Sequence, residues 1–171
     1  MDLLSEYKDL YNNTIEHSER LSNKINISMT QLVAITTGNI FVWREFFTSP
    51  VSLIYLILCF ISFVSLVVAS VLFYRAYSGY TYAYFPTKDM NIKIQQTVAK
   101  TKNIKNGKEI ADNHISGMFS RTYLKCAIIN ADENILKTKR HKALSMCLVL
   151  AVLALVIAFA FNIAVMNNIH I

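Results

Sequence analysis

Apolar and polar residues fall along this chain in long blocks rather than in short alternations. Residues 51 to 74 and 144 to 166 contain no charged side chain. About 20 apolar residues cross the hydrocarbon core of a bilayer, so each block is long enough for a transmembrane helix. A third segment, 25 to 43, is also uncharged and lies between Lys24 and Arg44. It is less apolar, with Gln31, Thr36, Thr37 and Asn39 inside it. Ahead of it, Leu4, Tyr7, Tyr11, Thr14, Ser18, Leu21 and Ile25 stand at three-four spacing, an imperfect helical face. The pattern predicts an all-α membrane protein. Two transmembrane helices cover 51–74 and 144–166, and 25–43 is a weaker transmembrane or interfacial helix. A polar amphipathic helix covers 1–24, and a helical segment covers 75–143.

Residues 25–43 leave the topology open. As a span, the segment puts the N-terminus on the same side as 75–143, with Arg44 to Pro50 as a short hairpin. Trp43, Phe46 and Phe47 would then sit at the opposite interface, where aromatic rings are favoured. As an amphipathic helix on the surface it leaves two spans. As part of a soluble helix it is a packing face for a partner. The three-span arrangement is the more economical, because it leaves no polar N-terminal segment to translocate. Pro50 and Pro86 mark element boundaries, and Asn106-Gly107 marks a turn. Glu109 to Ala143 lacks proline and can run as one helix into the last span, with Gly117 as its weak point.

Charge orients these elements. Residues 75–143 carry thirteen Lys and Arg against five Asp and Glu, while residues 1–24 carry three against five. The positive-inside rule puts 75–143 in the cytoplasm of a multi-pass protein. Lys137, Lys139, Arg140 and Lys142 crowd the entry to the last span, and Arg75 closes the exit of the preceding one. The basic balance is first a topology signal and a contact for lipid headgroups. No motif of a nucleic-acid-binding fold accompanies it. Charged residues make up only 16% of the chain, below the roughly 25% of soluble domains.

Little points to an enzyme. The chain has no P-loop, glycine-rich dinucleotide turn or HExxH motif, and His17, His114, His141 and His170 are scattered. Cys59, Cys126 and Cys147 stand apart, without a CxxC or Cys/His cluster, so neither a metal site nor a disulfide framework is expected. No cofactor is implied. Asn12-Asn13-Thr14 and Asn26-Ile27-Ser28 match the glycosylation triplet, but no early apolar signal segment precedes them.

Four sets of residues remain as candidates. Thr30, Gln31 and Thr37 form a polar stripe on the weak span. They either line a water-filled pore between copies of the chain or serve as hydrogen-bonding glue between helices. Ser65 with Ala69, Ala154 with Ala158 and Ala160 with Ala164 allow close helix approach, and Asn162 is a lone amide near the end of the last span. Tyr80, Tyr82 and Tyr84 alternate at period two, which suits an extended strap ending at Pro86. They form either an interfacial belt or a docking surface for a partner. Asn130, Asn134 and Lys137 share one helical face above the collar that includes Arg140. That face is either solvated or a site for an anionic trigger or partner protein.

The chain resembles the small bacterial transmembrane effectors of anti-phage defence systems. Three stretches carry the likeness: the polar helix 11–24 running into a weakly apolar segment, Tyr80-Thr81-Tyr82-Ala83-Tyr84-Phe85-Pro86-Thr87 after a strong span, and Asn130, Asn134, Lys137 and the collar feeding the final span. The weak segment 25–43 departs from the two-span pattern of such effectors. The resemblance implies an inner-membrane protein that stays quiet until infection is sensed. It then oligomerises, permeabilises the membrane and halts the cell, triggered through 75–143 or through a partner protein. A non-lytic anchor that recruits a soluble protein is the competing expectation. A transporter subunit would need an ionisable residue inside a span, and these spans have none.

Overall fold

A computed structural model describes residues 3–48, 53–78 and 80–169, with side chains for all of these except 45–48, 162 and 166–169. The expectations for Phe46, Phe47, Pro50 and Asn162 lie outside the described residues. Among the described residues the chain is all-helical: α1 covers Leu3–Thr48, α2 Leu53–Tyr77, α3 Thr87–Thr101 and α4 Gly107–Ile169. Three of these, α1, α2 and α4, are long and apolar enough to cross a membrane. The protein is therefore an all-α membrane protein in which a third, less apolar helix is also long enough to span.

Two boundaries differ from the sequence expectation. Residues 1–24 and 25–43 are not separate elements, because α1 runs through both without a break. No proline or glycine interrupts the chain before Gly38, and the three-four spacing continues across the junction. Arg44 to Thr48 are the last turn of α1 rather than part of a hairpin.

The chain divides into two compact units. One comprises Leu21–Gly79 and Lys137–Ile171, the other Met1–Arg20 and Tyr80–Leu136. The apolar unit is built on one spacing. On α1 the inward residues are Leu21, Ile25, Ser28, Leu32, Ile35, Asn39 and Val42. On α2 they are Tyr55, Cys59, Ser62, Leu66, Ala69, Phe73 and Ala76, and on α4 Leu144, Leu148, Ala151, Leu155 and Ala158. Steps of three and four keep one seam facing its neighbours along a helix, as in knobs-into-holes packing.

What lies inside and outside this seam reverses the soluble pattern. Ser62, Ser65, Ala69, Ala151, Ala154 and Ala158 are buried, whereas Ile54, Phe60, Val67, Val71, Leu153, Val156 and Phe159 are exposed. Lipid solvates large apolar side chains as well as a protein interior does, so helix association rests on close backbone approach at small residues. Two of the three small-residue pairs, Ser65 with Ala69 and Ala154 with Ala158, face inward, and Ala160 with Ala164 faces outward.

The second unit holds the start of α1, the extended strap 80–86, all of α3 and the start of α4. α3 begins after Pro86, whose carbonyl accepts from the Met90 amide at 3.0 Å. Asp89 and Lys100 sit at the ends that suit the helix dipole. Between α3 and α4 the chain turns at Asn106, in the left-handed region with φ of 60°. There asparagine is tolerated. A Cβ on Gly107 would fall on the carbonyl oxygen of Thr101, so the turn requires glycine at that place.

Gly117 lies inside α4, exposed, with nothing within 4 Å of the place a Cβ would occupy. Gly117→Ala should therefore raise stability by about 0.5–1 kcal/mol, and Gly107→Ala should lower it. Thermal unfolding in detergent measures both, and a loss of stability in Gly117→Ala would contradict its exposed place in an uninterrupted helix.

Candidate functional site

The strap 80–86 follows a helix end and has no strand to pair with. Several of its backbone groups, those of Ala83 and Phe85 among them, are met by side chains instead. The Ala83 amide donates to Asn130 Oδ1 at 2.8 Å, and Asn130 Nδ2 donates back to the Ala83 carbonyl at 3.2 Å. A carboxamide carries the same donor and acceptor as a peptide, so Asn130 pairs with the strap as a neighbouring strand would. One turn along, Asn134 accepts from the Tyr82 hydroxyl at 3.0 Å and donates to the Thr14 carbonyl at 2.8 Å. The Phe85 amide donates to the Tyr11 hydroxyl at 3.3 Å. Phe85 stacks between Phe119 and Tyr123, with ring centroids 5.4 and 4.3 Å away, and Tyr11 packs on Tyr123 at 5.5 Å.

This clasp fixes where the expected trigger residues lie. Asn130, Asn134 and Lys137 do share one face of α4, but the face is buried. Tyr82 is half-buried in the same network. Burial holds its hydroxyl above the usual tyrosine range, a hydrogen bond with Ser18 acts the other way, and Glu133 adds to the rise. Tyr80 is half-buried, and Tyr84 is the exposed member of the three at 72%. The tyrosines do form an extended strap, as their alternation predicts, but they do not share one exposed face: Tyr82 is held inward by Asn134, and Tyr84 is exposed.

In the apolar unit, Lys137 donates to Ser22 Oγ at 2.8 Å, and burial pushes its amine below the ordinary value. Arg140 donates to the Arg75 carbonyl at 2.8 Å. That carbonyl lies in the last turn of α2, where a cation completes an unpaired helix end. Ser28 Oγ lies 3.3 Å from His141 Nε2. The basic collar is thus partly structural: its inward members tie α4 to α1 and α2.

The pore candidates are all exposed. Thr30 and Thr37 donate to the carbonyls of Asn26 and Val33 one turn back, at 3.5 and 3.0 Å, and Thr36 does the same with Leu32 at 2.7 Å. Gln31 lies in a groove of about 510 Å³ between α1 and α4, opposite Ser145 and Leu148. Arg44 falls one further heptad beyond Thr30 and Thr37 and is exposed as well.

Two interior features carry no mark of their own in the sequence. Asn39 Nδ2 donates to Ser62 Oγ at 2.8 Å, and Ser62 donates to the Ala151 carbonyl at 3.0 Å. Tyr55 donates to the Val42 carbonyl at 3.2 Å. Continuing the three-four spacing past Ile25 would have placed Asn39 on the inward face. Nothing in the sequence names Ser62 and Ala151 as its partners. Among the described residues no cluster of His, Cys, Asp or Glu could hold a metal ion.

Asn130→Ala should destabilise the protein by about 1–3 kcal/mol, because it strips both partners from a partly buried peptide. Tyr84→Ala should change stability by less than about 0.5 kcal/mol. Equal melting temperatures for the two variants would remove the clasp. Lys137 gives a signed pH dependence. Its folded-state amine releases its proton at lower pH than in the unfolded chain, so the unfolded state binds more protons in that interval. Stability of the wild type should rise as pH climbs toward the ordinary value of 10.5. Lys137→Met should lack that rise in denaturant titrations across this range.

Compared with protein-family models, with curated proteins and with solved structures, the chain matches none.

Proposed function

We propose that this chain is a multi-pass effector of the bacterial inner membrane that assembles with copies of itself and makes the membrane leak when triggered, as in anti-phage abortive defence. The observation that supports this reading is an asymmetry among the outer faces of the three spanning helices. α2 and α4 present Ile, Val, Leu and Phe outward. α1 presents Thr30, Gln31 and Thr37 beside exposed Ile27, Val33, Ile40 and Phe41. The Gln31 carboxamide has no hydrogen-bond partner among the described residues. In hydrocarbon such a group is costly, so it favours a contact with another copy or with water. Copies meeting along α1 bring these polar groups to one axis.

The trigger acts on the basic segment between α2 and the last span, which lies in the cytoplasm in this reading. Tyr84 and Arg140 are reachable directly. Tyr82, Asn130 and Asn134 are reached by a partner protein or an anionic signal only when the strap is released, and Lys137 only when it leaves Ser22. The quiet state is the clasped one, and the clasp consists of neutral hydrogen bonds of modest individual strength.

Replacing Thr30, Gln31 and Thr37 together by Leu should abolish loss of membrane potential in a triggered cell while the protein still inserts. A voltage-sensitive dye reports this. Retained potential in the triggered wild type, with a soluble protein held at the membrane, would instead make the chain an anchor. Orientation is checked by cysteines placed in a background free of native ones. A probe at position 48 should be labelled from outside the cell and one at position 10 should not.

A further inference from the structure

Charge in the second unit is sorted by helix. The start of α1, residues 3–20, carries four acids against two bases, while α3 and the turn after it, residues 87–108, carry six lysines against one acid. All six lysines are exposed, as are Glu6, Asp9 and Glu16. Glu16 pairs with Arg20 of its own helix at 3.5 Å. The six lysines, Glu6 and Asp9 have no ion pair among the described residues. The two signs are thus kept apart on one unit, where a freely solvated surface intersperses them.

Each helix also turns an apolar stripe outward among its charges. On α1, Leu3, Glu6, Leu10 and Asn13 follow at three-four spacing, all exposed, with Asp9 beside them. On α3 the exposed series is Lys88, Ile92, Gln95 and Ala99, continued by Lys102 at the C-cap, with Lys93 and Lys100 beside it. Leu3 and Leu10 stand one heptad apart, and so do Ile92 and Ala99. An antiparallel pairing that sets Leu3 over Ala99 and Leu10 over Ile92 also brings Asp9 level with Lys93, and Glu6 between Lys93 and Lys100.

Helix direction selects that pairing. Tyr11 packs on Tyr123 and Thr14 meets Asn134, so α1 runs parallel to α4. α3 runs against α4, with Thr101 beside Gly107 and Met90 beside Thr122. α1 and α3 therefore point opposite ways. Copies in one bilayer share one orientation and are related by rotation about its normal. Contact of α1 with α1, or of α3 with α3, then sets like charge on like charge. Contact of α1 with α3 sets acid on lysine in the antiparallel register.

We propose that the acidic face of α1 in one copy docks on the lysine face of α3 in the next, a head-to-tail contact that closes copies into a ring. The contact rests on the self-assembly proposed above and does not require the assembly to leak.

Association of the purified full chain in mild detergent is followed by mass photometry over a concentration series. Reversing Glu6→Lys with Asp9→Lys, or Lys93→Glu with Lys100→Glu, should weaken it about a hundredfold, because like charges then face each other. The two reversed chains mixed together, and one chain with all four changes, should associate to within about tenfold of wild type, a recovery that loss of folding would not permit. Raising NaCl from about 0.1 to about 1 M shortens the Debye length from about 10 to about 3 Å and should loosen the wild-type assembly about tenfold. That measurement stands by itself if the reversed chains fail to fold. A monomeric wild type, association indifferent to salt or to either reversal, or no recovery on mixing overturns the proposal. A chain that assembles through these charges yet leaves a triggered cell polarised overturns the leak and leaves the contact standing.

Discussion

Inside a bilayer there is no water for the helices to escape by packing together, so a bundle of three must be specified by fit. Here the fit comes from one repeated step of three and four residues along each spanning helix. The step keeps Ser62, Ala69, Ala151, Asn39 and a few large residues such as Ile25 and Leu144 on the inside, and leaves most Ile, Val and Phe to the lipid. Register along the helices is fixed by the relay from Asn39 through Ser62 to the Ala151 carbonyl. It joins three helices by two hydrogen bonds. A slip of any helix by one turn would break it and leave a carboxamide buried and unpaired, which makes the relay a register device as much as a stabilising one.

The second unit meets a different problem with similar chemistry. A strap leaving a helix end presents peptide groups that must be paired once they are covered. Asn130 supplies both halves of that pairing for Ala83, and Asn134 joins the Tyr82 hydroxyl to the backbone of α1 at Thr14. Tyr11, Phe85, Phe119 and Tyr123 close over the end of the strap. The residues that suggested a receptor face in the sequence are thus the internal fastening.

The outer faces of the three long helices differ. α2 and the last part of α4 turn large apolar residues outward, while α1 also turns hydroxyls and a carboxamide outward between two grooves. One groove, at Gln31, lies between α1 and α4. The other, between α1 and α2, is lined by Asn39 and Arg44. Both border polar residues that make α1 the least apolar of the three.

The sequence by itself determined the class. Two uncharged blocks, a basic stretch between them and a weaker third segment specify spanning helices, because the cost of charge in hydrocarbon is paid residue by residue and needs no partner. It also marked the ends at Pro86 and Asn106-Gly107, where local backbone sterics decide. Periodicity placed Asn130, Asn134 and Lys137 on one face and Tyr80, Tyr82 and Tyr84 on one side of a strap, although the structure buries Tyr82 more than Tyr84. Only the tertiary structure decided which side was inward. A polar stripe reads the same whether it faces water or another helix, and the difference lies in partners such as Thr14 and Ala83, roughly fifty to a hundred and twenty residues away. Asn39 shows the same limit most sharply. Spacing puts it on the seam, but that its nitrogen is satisfied and its oxygen is not depends on where two other helices bring Ser62 and Ala151.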